Sequence, residues 1–329
     1  MFEVCFLGTS ASAPSVERGL SSALVLHRDQ RFLVDCGEGT QRQLLRSGLG
    51  FRKLDKILLT HGHLDHILGL GGLVSTFSRW ESIPTLSIYG GNWALQRVQD
   101  LMKVVLRGGE VDTAIELNEI RAGPIWQGGG MTISAFPVSH RGPGCFGFSF
   151  EERAHRPFLA DVAQSLGIPN GPERRQLVEG RAITLADGRV IEPEMVLGES
   201  QPGVKLVHVG DAGRTDNLIE VAQGADALVI EATYTSRDQE MASRFGHLTA
   251  RQGAELAAQA GVGALFLVHL SRRYSEYEVL REARAVFENT YVPRDLDMFR
   301  ILRGQVQPIS DDERRQLAEP EPYGADDYA

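Results

Sequence analysis

Short apolar runs separated by Gly-rich or polar breaks recur along the chain, and several end on a histidine or an aspartate. Residues 2–7 (FEVCFL) and 22–26 (SALVL) predict strands on either side of a Gly/Ser/Pro-rich loop at 8–15, and 31–36 (RFLVDC) predicts a third. The run Ile57-Leu58-Leu59 predicts a buried strand ending at Thr60, and the apolar, Gly-rich run 67–73 opens a helix beyond it. Further strands are expected at 84–89, 114–118 and 131–137, the last ending near His140, with a helix at 92–106. The pattern resumes with a strand at 204–210 ending at Asp211, a helix at 214–223 and a strand at 226–231. A helix at about 250–260 follows His247-Leu248-Thr249, a strand at 264–269 again ends on a histidine, and 275–289 is an amphipathic helix. Strands alternating with amphipathic helices indicate the α/β class.

Two stretches break the pattern. Residues 151–203 are polar, rich in Arg, Glu, Gly and Pro, and contain Gly171-Pro172. Composition leaves two readings open there: a surface insertion or mobile loop, and a substrate-binding arm. Residues 305–329 carry scattered Asp, Glu and Pro with few large apolar groups, which predicts a flexible acidic tail. The expected organisation is one catalytic domain formed by 1–150 and 204–304, interrupted by the 151–203 insertion.

Composition narrows the function classes. With 329 residues, 42% hydrophobic, the chain can bury a sizeable core, yet no apolar run reaches the roughly 18 residues that span a bilayer. The N-terminus lacks the basic and long apolar regions of a secretory signal. Cys5, Cys36 and Cys145 are far apart, and read as reduced, buried small hydrophobes. These features point to the cytoplasm and to no membrane. A net charge of −9 argues against coating nucleic acid by general positive charge, while leaving room for a local basic patch or for phosphate held at metal ions.

The candidate chemistry centres on Thr60-His61-Gly62-His63-Leu64-Asp65-His66, three imidazoles and a carboxylate within six residues of one another at the end of a buried strand. Neutral imidazole is the commonest metal-binding side chain, and a carboxylate adds charge that a divalent cation offsets. Taken singly, His140 and His269 fit structural histidines, and Asp211 after Gly210 fits a helix N-cap. Taken together, five histidines and two aspartates exceed the three or four protein ligands of one zinc site, so two cations fit better. Two such ions can share a carboxylate and a hydroxide, and Asp211, with two oxygens and a place apart from the cluster, is the natural bridge.

His61-x-His63-x-Asp65-His66 resembles the signature of the metallo-β-lactamase superfamily. Leu7-Gly8-Thr9-Ser10, Asp35-Cys36-Gly37-Glu38-Gly39-Thr40-Gln41, Ile230-Glu231-Ala232-Thr233-Tyr234 with His247-x-Thr249, and His269-Leu270-Ser271-Arg272-Arg273-Tyr274 are similar to blocks of the ribonuclease Z family within it. The resemblance covers roughly residues 1–305. It implies an αββα sandwich with a protruding inserted arm, and a zinc-dependent endoribonuclease that removes 3′ trailers from precursor tRNA, leaving a tRNA 3′ hydroxyl and a trailer 5′ phosphate. It further implies two zinc ions, one on His61, His63 and His140, the other on Asp65, His66 and His269, bridged by Asp211; manganese or iron also suit the carboxylates. Asp65 takes the place of proton acceptor, His247 that of general acid and Glu231 that of its orienting partner, although a strand-end carboxylate bonded to backbone also fits Glu231. Ser271, Arg273 and Tyr274 have the chemistry to grip phosphate, and equally fit an ordinary helix-entry loop. Gly171-Pro172 resembles the arm's motif, with Arg153, Arg156, Arg174, Arg175 and Arg181 placed to touch RNA, and the family's use of one subunit's arm at the other's active site implies a homodimer. The chain departs from the family at Ala212, Leu248 and Leu270, none of which is a ligand. The alternative is a metal-dependent phosphodiesterase or other ester hydrolase acting on small molecules.

Overall fold

The computed structural model describes residues 1–80, 83–106 and 113–317. Its strands are β1 (Phe2–Gly8), β2 (Ser22–His27), β3 (Gln30–Val34), β4 (Lys56–Leu58), β5 (Thr85–Gly90), β6 (Ala114–Glu119), β7 (Gly123–Gly128), β8 (Met131–Pro137), β9 (Phe146–Glu152), β10 (Ile183–Thr184), β11 (Val190–Ile191), β12 (Lys205–His208), β13 (Ala227–Glu231), β14 (Leu265–Val268), β15 (Thr290–Tyr291), β16 (Met298–Leu302) and β17 (Gln305–Ile309). One sheet has the order β17-β16-β1-β2-β3-β4-β5-β6, the other β15-β14-β13-β12-β9-β8-β7.

Period-2 alternation decides the layering. Val4 and Phe6 of β1 join Phe32, Val34, Phe148, Phe150, Val229 and Phe266 in a core fed by both sheets. Cys5 and Leu7 point to the other face, where Leu44, Leu70, Val74, Phe77 and Val98 of helices Thr40–Ser47, Gly69–Trp80 and Asn92–Leu106 cover the first sheet. Val207, Leu228, Ile230 and Leu267 face helices Ala250–Ala260 and Glu276–Arg284 on the outer side of the second. The result is a helix–sheet–sheet–helix sandwich. Strands β3, β4, β5 and β6 pair in parallel, as do β12, β13, β14 and β15, so loops following their carboxyl ends gather where ligands collect in α/β structures.

Residues 152–203 form a separate compact unit. It contains the β10–β11 pair, helices Ala160–Ser165 and Pro172–Val178, and its own small core of Ala163, Ile168, Leu177, Ile183, Ile191 and Val196. That core makes it more than an irregular loop. Gly171 precedes Pro172, which starts its helix at a position where the missing N–H costs nothing.

The structure corrects two expectations. The flexible tail does not begin at 305: β17 pairs along β16, and the helix Asp311–Leu317 follows. Arg314 there is buried, with Nε donating to Ser47 O at 3.0 Å and Nη1 to Leu296 O. Residues 318–329 lie outside the described residues. The helix expected at 214–223 is confined to Ile219–Ala222, because 214–218 form turns in which Arg214 closes on Asp216. Cys5, Cys36 and Cys145 are free and buried. Among the described residues no helix is long and apolar enough to cross a membrane.

Candidate metal centre

The seven residues singled out as ligands converge. His61, His63, His140 and Asp211 form one group whose donor atoms all lie within 4.8 Å of one another, and Asp65, His66 and His269 form a second. Asp211 Oδ2 joins them: it lies 3.8 Å from His61 Nε2, 3.7 Å from His140 Nε2, 3.5 Å from His66 Nε2 and 3.4 Å from His269 Nε2. His269 Nε2 is also 3.4 Å from Asp65 Oδ2.

The loops that deliver these groups carry backbone only local chemistry tolerates. Asp35 and His269, each directly after a strand, have φ of +58° and +56°, and such left-handed non-glycine residues cluster at functional sites. Gly210, at φ +76°, precedes Asp211, and a Cβ there would meet Thr60 Cγ2 at 2.9 Å.

Hydrogen bonds behind the ligands set which ring nitrogen faces inward. Asp35 accepts from His66 Nδ1 at 2.7 Å, and from Thr60 N and Oγ1 at 2.8 Å each. Because Thr60 Oγ1 spends its proton on Asp35, it accepts from His61 Nδ1 at 3.0 Å. Gly246 O accepts from His140 Nδ1 at 2.7 Å. Thr233 Oγ1 donates to Glu231 Oε2 and accepts from His269 Nδ1 at 2.8 Å. In all four rings Nδ1 carries a proton, which turns Nε2 inward. His63 instead turns Nδ1 inward, 2.8 Å from His61 Nε2 and 3.3 Å from His140 Nε2, and packs edge-on against Trp93 at 5.4 Å between ring centroids.

This arrangement fits divalent cations. His61 Nε2 and His140 Nε2 both converge on His63 Nδ1, at 2.8 and 3.3 Å. Tetrahedral zinc at the usual Zn–N length places its nitrogens about 3.3 Å apart. His66 Nε2 and Asp211 Oδ1 are buried without a hydrogen-bond partner, as metal-facing atoms would be. Burial and the neighbouring imidazoles push His63 down to about 4 and His61 well below the usual histidine range, which keeps both neutral. Burial pushes the Asp211 carboxyl up, but His269 and His66 outweigh it and hold the group well below the usual carboxylate range.

Glu231, fully buried, accepts from Ala212 N at 2.8 Å and from His247 Nδ1 at 2.9 Å. Burial lowers His247, but Glu231 outweighs this and lifts it to about 9. Asp65 Oδ2 is pinned by Ser12 N at 2.9 Å. An open cleft above the site is lined by Ser12, His63, Leu64, Asp65, Arg97, Arg141, Asp211, His247 and His269.

Not every predicted site residue is brought there. Ser271, Arg273 and Tyr274 do not line the cleft. Tyr274 is buried, with its hydroxyl donating to Asp238 and Arg237 lying over its ring at 5.2 Å, so it locks two loops together instead of gripping phosphate. Within the 152–203 unit, Arg156 is bound to Gly198 O and Leu197 O, Arg174 to Ile168 O and Pro169 O, and Arg175 and Arg181 both to Glu179. Arg156 and Arg174 therefore pin that unit's own backbone. Ala212, Leu248 and Leu270, where the chain departs from the family pattern, are buried in the apolar core of the second sheet. The roles of Asp35, Thr60 and Thr233 as orienting partners, and the presence of Arg97 and Arg141 in the cleft, carry no local sequence signal.

Asp35→Asn tests the orienting shell. The amide keeps the shape but cannot accept from both His66 Nδ1 and Thr60 N, which bond different carboxylate oxygens. Metal affinity, measured by chelator competition, should fall about 10–100-fold.

A family profile described as "Anti-Pycsar protein Apyc1" matches residues 2–163, and one described as "Beta-lactamase superfamily domain" matches 195–270. Ribonuclease Z of Bradyrhizobium diazoefficiens is 47% identical over 297 residues, 90% of this chain and 99% of that protein. Ribonuclease Z of Archaeoglobus fulgidus is 38% identical over 301 residues, 90% and 96% of the two chains. The crystal structure of human tRNase Z, short form, shares the fold with a TM-score of 0.63 and 24% identity, covering 91% of this chain and 99% of that one.

Proposed function

The chain belongs to the ribonuclease Z family, and on that premise we propose that its two ligand groups hold two divalent cations, zinc by donor chemistry, at which a precursor tRNA is cut. It is an endoribonuclease of tRNA 3′ processing, removing the trailer to leave a tRNA 3′ hydroxyl and a trailer 5′ phosphate. The observation that carries the two-cation reading is Asp211 Oδ2, within 3.4–3.8 Å of four imidazole nitrogens from both groups. Manganese or iron is the alternative to zinc for a set with two carboxylates.

Two cations so held supply a water of lowered pKa and stabilise charge on the phosphoryl oxygens. The protein does the rest. Asp65, fixed by Ser12 N, orients the attacking water and takes its proton. Glu231 holds His247 by Nδ1, so Nε2 is the nitrogen left to protonate the departing 3′ oxygen in the cleft His247 lines. The 152–203 unit serves as the tRNA-binding arm through Gly171-Pro172 and backbone surface, since most of its arginines are already engaged. A cytoplasmic homodimer, in which one subunit's arm presents tRNA to the other's site, completes the reading.

The test is a defined precursor tRNA with a 3′ extension, incubated with metal-replete protein. A chelator-sensitive cut near the discriminator base is expected, and its absence rejects the reading. Deleting 152–203 should abolish that cut while leaving two metals bound; retained processing would show that this unit is not the tRNA-binding arm.

A further inference from the structure

We infer that Arg97 and Arg141 form a phosphate-binding pair that grips the RNA backbone beside the scissile bond, on the His63–His140 flank of the metal centre. The inference rests on the reading of the substrate as a precursor tRNA.

Both guanidinium-bearing residues line the catalytic cleft, together with His63, Asp65, Asp211 and His247. Both are tied to one ligand group. Arg97 Nη1 donates at 2.8 Å to the carbonyl of Gly62, the residue between ligands His61 and His63. Arg141 directly follows ligand His140. Trp93 connects the two arginines: Arg97 lies 5.4 Å over its indole, and a Cβ on Gly142 would meet the same indole at 2.6 Å. Arg141 lies 6.0 Å over Phe245, the last residue of the helix Gln239–Phe245 that leads to His247.

Aromatic stacking uses the face of a guanidinium and leaves its in-plane N–H edges free, the edges that bind phosphate. Among the described residues neither arginine has a carboxylate partner. Several arginines elsewhere on this acidic chain do: Arg18 pairs with Glu276, Arg300 with Glu3 and Arg303 with Asp226. Two cations held without counter-ions at the mouth of one cleft make a local anion site on a protein of net charge −9. The phosphate cannot be the scissile one, which the metal ligands and His247 surround. It is a neighbouring phosphate of the same strand. Because Arg141 abuts Phe245, two residues before the proposed acid, it falls on the leaving-group side, toward the tRNA body.

The test compares Arg97→Gln, Arg141→Gln and the double variant, as metal-replete full-length protein, on a precursor tRNA at several salt concentrations. Each single variant should raise KM about tenfold or more, as expected for a lost charge-assisted bond, and lower the slope of log KM against log salt by about 1. The metal content should stay at two per chain. Arg97→Gln keeps a donor for Gly62 O, which separates lost phosphate binding from a displaced His63. Parent KM and salt slope in both variants would overturn the inference, as would a raised KM accompanied by metal loss, which marks a structural role. If the parent protein itself leaves the precursor uncut, it is the substrate reading that fails.

Discussion

Asp211→Ala is expected to remove bound metal from both positions and to lower precursor-tRNA cleavage by on the order of 10³-fold or more, since cation stabilisation is worth several kcal/mol and each 1.36 kcal/mol is tenfold in rate. Among the described residues Asp211 is the one side chain whose oxygen reaches imidazoles of both ligand groups, His61 and His140 on one side, His66 and His269 on the other. Either group without it is three side chains, of which His61, His63 and His140 carry no charge to offset a dication. Asp211→Asn keeps the volume and one acceptor oxygen, and should fall between parent and alanine variant. Metal analysis after gel filtration, with cleavage assayed on the same samples, checks this. Two tightly held metals in the alanine variant would mean that Asp211 does not bridge. The carboxylate also makes folding pH-dependent. Its folded-state pKa is depressed, so its contribution is present above the ordinary carboxylate range and is lost as pH falls through the folded value.

The parts of this protein legible in the sequence are those whose cause is local. The alternation of Val4 and Phe6 with Cys5 and Leu7 declares a strand buried on both faces. The helix Ala250–Ala260 announces itself through its Thr249/Gln252 capping box and Gly261 stop. The His61–His66 cluster is dense enough to be read as a metal site alone, and His140, Asp211 and His269 are marked by falling just after apolar runs. What stays hidden is long-range. Nothing near Asp35 says that it will orient His66, 31 residues on, nor does Thr233 advertise a bond to His269, 36 residues away. Tyr274 has the chemistry to bind phosphate, and only the fold reveals that Asp238 has taken its hydroxyl. β17 was hidden for a different reason: as an edge strand of sequence QVQPI it buries little, so its apolar signal is weak although its pairing with β16 is regular.

His247→Ala should lower kcat on precursor tRNA by about 10²–10⁴-fold, the usual contribution of a positioned general acid, while leaving both metals bound. That split separates it from Asp211→Ala, where metal and activity fall together. Glu231 gives the assignment a sharper test, through pH. A general acid works protonated, so activity is lost as pH rises through its pKa. Burial lowers the His247 value, and the Glu231 carboxylate, 2.9 Å from Nδ1, raises it to about 9; bound cations push it back down, which places the alkaline limb below that figure. Glu231→Gln removes the negative charge and keeps the shape, so the limb should move to lower pH and kcat should drop. The amide also brings a second fault: with its NH2 group turned to Nδ1, it donates where the carboxylate accepted, and so opposes the doubly protonated imidazolium that serves as the acid. Because Thr233 Oγ1 links Glu231 to His269, metal content must be followed in the same variant. A lowered kcat with two metals retained and a shifted limb assigns Glu231 to the acid. An unshifted limb would show that His247 does not supply the proton, and would turn the search to a water in the cleft that His247 lines.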